Sequence, residues 1–285
     1  MAADQPKIMV VGAHADDIEI LAGGTLWKYR QQGHEIVYVM STDNMSGGVH
    51  TLQLDGSVTT TYEPPELMSA RRKRECAAAA ALLGTTPIHL DHPQRHYRDA
   101  EGVEHELRYG CARPATVPPD VPSILTAYED ETSVARLTDL ILQHDPVCII
   151  THDLAVTSIE HLATVLLVVN SFWRAADQGF GGALLQGRED DLVFGELNAR
   201  WDTFVDITDT LDQKMQLIGR HACQMPTAHY PNHGHRLRPL KWGAACGCGA
   251  AEVFTWVRRP EEPQLNPAEP NFSPFLAELV RNSST

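Results

Sequence analysis

Gly12-Ala13-His14-Ala15-Asp16-Asp17 brings an imidazole and two carboxylates into one short turn, directly after the apolar run Ile8-Met9-Val10-Val11. A hydrolytic metal site needs a neutral nitrogen ligand, an anionic oxygen ligand and a free base beside them. His14 and Asp17 are three residues apart and can face one ion if a helix starts here, which leaves Asp16 beside that ion. The same carboxylates could instead cap the helix, because acidic groups are favoured at helix N-termini. On spacing alone the two readings stand level. A second cluster moves the balance: Thr151-His152-Asp153 ends another apolar run, and Ser158-Ile159-Glu160-His161 opens the helical pattern after it. Taken singly, Ser158 reads as a plain N-cap and His161 as a helix-face residue. Taken jointly with the first turn, they favour a metal.

These clusters must be positioned by regular elements, and the chain alternates between short β-rich runs and helical patterns. Strands are expected at 7–13, 35–40, 87–90 and 147–150, and helices at 17–32, 65–83, 131–144 and about 159–177. Continuous apolar strands alternating with helices argue for a mostly parallel sheet covered on both faces. Each strand-to-helix connection then crosses the carboxyl edge of the sheet, where such folds place their ligands. Two connections, 43–63 and 91–128, are too long for plain turns and read as binding loops or lids. No repeat or domain boundary is evident, so 1–285 is expected to form one domain. Residues 260–285 form an extended proline-rich tail in this reading, with a short helix near 274–281.

Composition narrows the function classes. At 285 residues, with 43% hydrophobic and 21% charged residues, the chain has the make-up of an ordinary globular protein. A net charge of −14 argues against a nucleic-acid partner, whose phosphates demand a basic face. No apolar run approaches the roughly 18–20 residues of a membrane span. The first residues lack the basic and apolar regions of a signal peptide, which makes a cytoplasmic location the expectation. Of six cysteines, Cys246-Gly-Cys248 is too tightly spaced for a zinc ribbon and has no partner pair. The fourteen histidines are the notable excess, clustering at His89, His92 and His96 and again at His229, His233 and His235. A nucleotide-binding protein is disfavoured, because Gly12-x-His14 lacks the Gly-x-Gly-x-x-Gly turn and paired aspartates repel phosphate.

Gly12-Ala13-His14-Ala15-Asp16-Asp17-Ile18-Glu19, followed by Gly23-Gly24-Thr25, resembles the opening of the PIG-L / LmbE-like de-N-acetylases, with Ala15 in place of a proline. Arg72-x-x-Glu75 with its alanine-rich helix, Tyr97-Arg98-Asp99 and His221-Ala222-Cys223-Gln224 are similar to later family segments, in order. The resemblance implies an α/β, Rossmann-like three-layer sandwich with a mostly parallel sheet and long loops at its C-terminal edge. It implies one Zn2+ per chain on His14, Asp17 and His161, with Asp16 as the base. Arg72, His96, Asp99 and Trp173 are then the candidates for contact with substrate. The family's His-Pro-Asp-His stands here as Ser158-Ile159-Glu160-His161, so the usual oxyanion helper is replaced by Ser158, or by a histidine such as His152, His233 or His235. The implied substrate is an N-acetylglucosamine (GlcNAc) unit on a small-molecule conjugate, with a glycopeptide-antibiotic pseudoaglycone as the first expectation. The alternatives are the GlcNAc-inositol of mycothiol synthesis, a thiol-conjugate amidase, and a catalytically silent sugar-binding protein.

Overall fold

The computed structural model describes residues 5–94, 96–98, 104–106, 123–154, 156, 158–189 and 201–258. In chain order the elements are β1 (Lys7–Gly12), α1 (Asp17–Gln31), β2 (Glu35–Thr42), β3 (Val49–Leu52), β4 (Val58–Thr61), α2 (Pro65–Leu82) and β5 (Ile88–His92). Then follow β6 (His96–Arg98), β7 (Glu104–Glu106), α3 (Ile124–Ala127), α4 (Glu131–His144), β8 (Cys148–His152) and α5 (Ile159–Asp177). The chain continues through β9 (Ala183–Gly187), β10 (Thr203–Asp206), α6 (Leu211–Ile218), α7 (Gly234–Cys246) and β11 (Ala251–Arg258). The expected elements agree with these to within two residues at either end. The 43–63 connection folds as the β3–β4 hairpin. The tail at 260–285, and Asp99 within the 91–128 connection, lie outside the described residues.

Seven strands form one sheet in the order β10-β11-β9-β8-β1-β2-β5. β1 pairs in parallel with both β2 and β8, β2 with β5 and β8 with β9, while β11 runs antiparallel to β9 and β10. The buried strands separate two cores. Ile8, Val10, Tyr38 and Ile150 face α1, α2 and α6 through Leu21, Leu26, Cys76 and Leu217. Met9, Val11, Val39 and Ile149 face α4 and α5 through Leu137, Ile141, Leu167 and Phe172. The result is the three-layer α/β sandwich with a mostly parallel sheet. From β1 the chain steps outward through β2 to β5, whereas from β8 it steps the other way to β9. The order therefore reverses between β1 and β8, and the crevice at their carboxyl ends is where open α/β sheets bind ligands.

One helix in this frame is broken. Ala22 of α1 sits at φ −143° and ψ 15°, outside helical geometry, so α1 is two short helices joined at a kink. A break leaves backbone groups without intrahelical partners, and buried ones must find others. A buried ion pair supplies them. Lys214 Nζ donates to the carbonyls of Glu19 at 2.9 Å and Ile20 at 2.7 Å, at the end of the first half. Glu252 accepts from Gly24 N at 3.0 Å and Thr25 N at 2.8 Å, at the start of the second half, and from Lys214 itself. Gly24 is required at this point, because a Cβ there would lie 2.8 Å from Ile207. Lys214→Met, which leaves Glu252 buried and unpaired, is expected to cost about 3–5 kcal/mol. Urea unfolding monitored by circular dichroism checks this, and an unchanged midpoint refutes the role.

Candidate metal and active site

Gly12 ends β1, and a Cβ on it would meet Ile18 at 2.8 Å, so the chain turns back tightly into α1. Nearly every polar group of that turn is anchored. Thr42 Oγ1 donates to Ala13 O at 2.6 Å, Ala15 N donates to Asn44 Oδ1 at 2.8 Å, and Arg72 Nη2 donates to Ala15 O at 2.8 Å. Ala13 N donates to His152 Nε2 at 2.9 Å, which ties the turn to the end of β8. Asp16 occupies the N-cap position at φ 110°, a left-handed conformation rare for a residue with a side chain, and makes no capping hydrogen bond. Asp17 does not cap in the ordinary sense either, because its Oδ2 accepts from His14 N at 2.6 Å. The helix-cap reading of the aspartate pair fails on these contacts.

The parallel pairing of β1 with β8 carries His161, in the first turn of α5, over the same spot. His14 Nδ1 and His161 Nε2 lie 3.0 Å apart, Asp17 Oδ2 is 3.3 Å from the first and Asp17 Oδ1 is 3.5 Å from the second. A tetrahedral zinc site with bonds of ~2.0–2.1 Å has ligand–ligand edges of roughly 3.3 Å. The far nitrogen of each imidazole is held by a carboxylate: His14 Nε2 by Glu160 at 2.7 Å and His161 Nδ1 by Glu189 at 3.1 Å. In the neutral tautomers that those hydrogen bonds favour, the two near nitrogens turn their lone pairs toward each other, and a proton or a metal cation between them relieves the repulsion. The donor set therefore fits a divalent cation such as zinc. His152, His161 and Glu189 form a second cluster of candidate ligands. There, however, His152 has one nitrogen on Ala13 N and the other on Glu189, which favours His14, Asp17 and His161 as the ligand set among the described residues.

Electrostatics agree. Burial opposes charge on His14, yet Asp17 and Glu160 outweigh it and push its pKa up to about 9. Burial likewise opposes charge on Asp17, and His161, His14 and His152 hold it well below the ordinary carboxylate range. The cluster attracts a cation. Asp16 is different: burial, opposed by Arg72 at 3.6 Å and reinforced by Asp17, pushes its pKa up to about 6. A carboxylate poised near neutrality suits a general base.

A cavity of about 250 Å³ opens over these groups, lined by Asp16, Asp17 and His161 together with Ile20, Val156, Glu189, His235 and Arg238. The structure thus brings together His14, Asp16, Asp17 and His161. Arg72 lies behind Asp16, buried, bracing the carbonyls of Ala15 and Ser46 rather than lining the cavity. Ser158 stands at the N-cap of α5 without a capping bond and is not among the described lining residues. Trp173 is not brought to the site: it sits twelve residues beyond His161 on α5, about 18 Å along the axis, beside Phe172 and Arg258. His96 falls in β6, and Asp99 lies outside the described residues. Sequence reading passed over Glu160, Glu189 and Arg238. Glu160 was visible in the first turn of the helix, but Glu189 follows a strand that no periodicity announced.

Two outcomes follow from this geometry. Glu160→Gln and Glu189→Gln are each expected to weaken zinc binding about 10–100-fold, measured by competition with a chromophoric chelator; unchanged affinity in both removes their role. Asp16→Gly is expected to be about 1 kcal/mol more stable than Asp16→Ala, because both lose the carboxylate but only glycine tolerates the backbone. Thermal melts of the two variants decide that point.

Comparison with known proteins places the chain. The family described as PIG-L, GlcNAc-PI de-N-acetylase, matches residues 9–172. A 1D-myo-inositol 2-acetamido-2-deoxy-alpha-D-glucopyranoside deacetylase from Mycobacterium sp. (strain KMS) is 25% identical over 238 residues, covering 78% of this chain and 75% of its own. Among solved structures, the 4-carboxy-2-hydroxymuconate hydratase from Pseudomonas putida KT2440 superposes with a TM-score of 0.62 at 18% identity, covering 89% of this chain and 97% of its own. The N,N'-diacetylchitobiose deacetylase from Pyrococcus horikoshii gives 0.60 at 22%, covering 89% and 84%. A deacetylase of the teicoplanin biosynthesis pathway gives 0.60 at 17%, covering 88% and 96%.

Proposed function

We propose a function from one premise: the chain belongs to the PIG-L family of de-N-acetylases. It is accordingly an amidohydrolase that removes N-acetyl groups from GlcNAc-containing substrates. Our reading goes further on three points. The reaction depends on one zinc ion held by His14, Asp17 and His161; Asp16 moves the proton; and the substrate is a small-molecule GlcNAc conjugate. The observation that carries the reading is the cluster of donor atoms, His14 Nδ1 and His161 Nε2 3.0 Å apart with one Asp17 oxygen 3.3 Å from the first and the other 3.5 Å from the second, and a carboxylate behind each imidazole.

An acetamide resists water because its carbonyl is a weak electrophile and its amine a poor leaving group. A zinc ion in such a set, when bound, supplies Lewis acidity and lowers the pKa of water to about 7. The remaining work falls to this chain's residues. Asp16, held in place by its strained backbone and by the turn's hydrogen bonds, accepts a proton from the attacking water and returns it to the departing nitrogen. Arg72 and His221 lie behind it as countercharges, and His221 is fixed by its bond to buried Glu19 at 2.9 Å. Glu160 and Glu189 keep both imidazoles oriented.

In this reading the acetamide and its sugar ring occupy the cavity of about 250 Å³, and the rest of the conjugate lies outside it. An open mouth is compatible with a bulky secondary metabolite such as a glycopeptide-antibiotic pseudoaglycone, our first reading of the conjugate. A second reading, GlcNAc-inositol, is favoured by the mycobacterial relative. No helix among the described residues is long and apolar enough to cross a membrane. Acetate release should be assayed on a glycopeptide pseudoaglycone, GlcNAc-inositol and GlcNAc-phosphatidylinositol, with and without a chelator. Chelator-sensitive release from the first is expected, and release from the lipid alone would overturn the substrate reading. His14→Ala and His161→Ala should empty the site by metal analysis, whereas Asp16→Asn should keep the metal and lose most turnover. Near-normal rates in Asp16→Asn would remove the base assignment.

A further inference from the structure

Water adding to an acetamide leaves a negative oxygen on a tetrahedral carbon, and a donor aimed at that oxygen lowers the barrier more than most single groups do. Which protein group can donate there is decided by elimination. Three of the described residues lining the cavity have carboxylate side chains, which accept when ionised, and the side chains of Ile20 and Val156 are apolar. His161 has one nitrogen on Glu189 and the other in the ligand set. Among the side chains of the described lining residues, His235 and Arg238 remain as donors.

Their mutual contact assigns the roles. Arg238 Nη1 donates to the carbonyl of Glu189, and it lies 3.3 Å from His235 Nδ1. A guanidinium only donates, so His235 Nδ1 is the acceptor and the ring proton must reside on Nε2. The backbone agrees. His235 is in the first turn of α7, and its own N–H donates to His233 Nδ1 at 3.3 Å, which fixes the start of the helix against the cavity. Burial, joined by the nearby charge of Arg238, pushes the His235 pKa down to about 3, so the ring stays neutral at ordinary pH. A neutral N–H is a donor that never has to discharge a proton.

We propose that His235, through Nε2–H, is the hydrogen-bond donor to the oxyanion of the tetrahedral adduct, a catalytic role that rests on the deacetylase reading above. As the water oxygen bonds to the carbonyl carbon, the C=O electron pair moves onto oxygen and is met by this N–H. The water's proton goes to Asp16. When the pair returns, the C–N bond breaks, the nitrogen takes the proton from Asp16, and His235 has kept its own proton throughout. Arg238 is a positioning residue in this scheme, because it holds the tautomer. Ser158 has no part in it.

The test compares zinc-loaded wild type, His235→Ala, His235→Gln and Arg238→Gln. Turnover is measured on the acetylated conjugate, and binding of a methylphosphonamidate of glucosamine, a tetrahedral mimic, is measured by calorimetry. His235→Ala should lose about 10²–10³ in kcat with KM and zinc content little changed, and should bind the mimic about 10²-fold more weakly. His235→Gln retains an N–H at similar reach and should recover about tenfold of both, which separates loss of the donor from loss of fold. Unchanged mimic affinity in His235→Ala overturns the proposal. So does loss of mimic binding in Arg238→Gln alone, which would move the role to Arg238, and so does a wild type with no affinity for the mimic. A wild type that binds the mimic through His235 yet releases no acetate upholds the donor and overturns the deacetylase reading instead.

Discussion

The break in α1 is the constraint on which the site depends. A continuous helix from Asp17 to Gln31 would fix the direction of its first turn by the packing of its last. The kink at Ala22 frees the first turn to follow β1, and the buried Lys214–Glu252 pair satisfies the backbone groups that the kink exposes. Buried ion pairs contribute little net stability against apolar alternatives, but removing one partner is costly. Here the pair fixes a geometry. It holds α6 and β11 against the element that carries Asp16 and Asp17, so the far end of the chain sets the aim of its beginning.

The same economy of contacts governs the ligands. Two imidazoles with near nitrogens 3.0 Å apart are held in that arrangement from behind, by Glu160 of α5 and by Glu189 just after β9, and positive charge between them relieves the repulsion. The charges gathered there draw a cation, while Asp16, a neighbour in sequence, is turned away by its left-handed backbone and kept near neutrality by burial. In the proposed reading, adjacent aspartates take different duties because a left-handed backbone at Asp16 turns one away from the other. The strain at that residue, of order 1–3 kcal/mol, is offset by the hydrogen bonds to Thr42, Asn44 and Arg72.

A fold alone does not select this chemistry. The three-layer scaffold here superposes on a hydratase as well as on deacetylases, and unrelated reactions commonly share a scaffold. What distinguishes this chain is the content of the crevice at the switch between β1 and β8, together with the sequence match to the family.

Much of that crevice was legible in the sequence, for physical reasons. Apolar runs that must be buried on both faces mark parallel strands, and helical periodicity marks the layers, so β1, β2, β5 and β8 and the helices between them could be placed within two residues. His14, Asp16 and Asp17 lie within one turn, where local spacing limits what they can face, and His161 opens a helix that the pattern itself delimits. The tertiary structure alone decided the rest. Glu189, just after β9, and His235, in the first turn of α7, reach the cavity from segments with no local link to it, and Trp173 is carried away by the rise of α5. Which side chains meet across the crevice depends on strand order and on the kink in α1, the first set by pairing between β1 and β8, 140 positions apart, and the second by contacts between residues nearly two hundred apart.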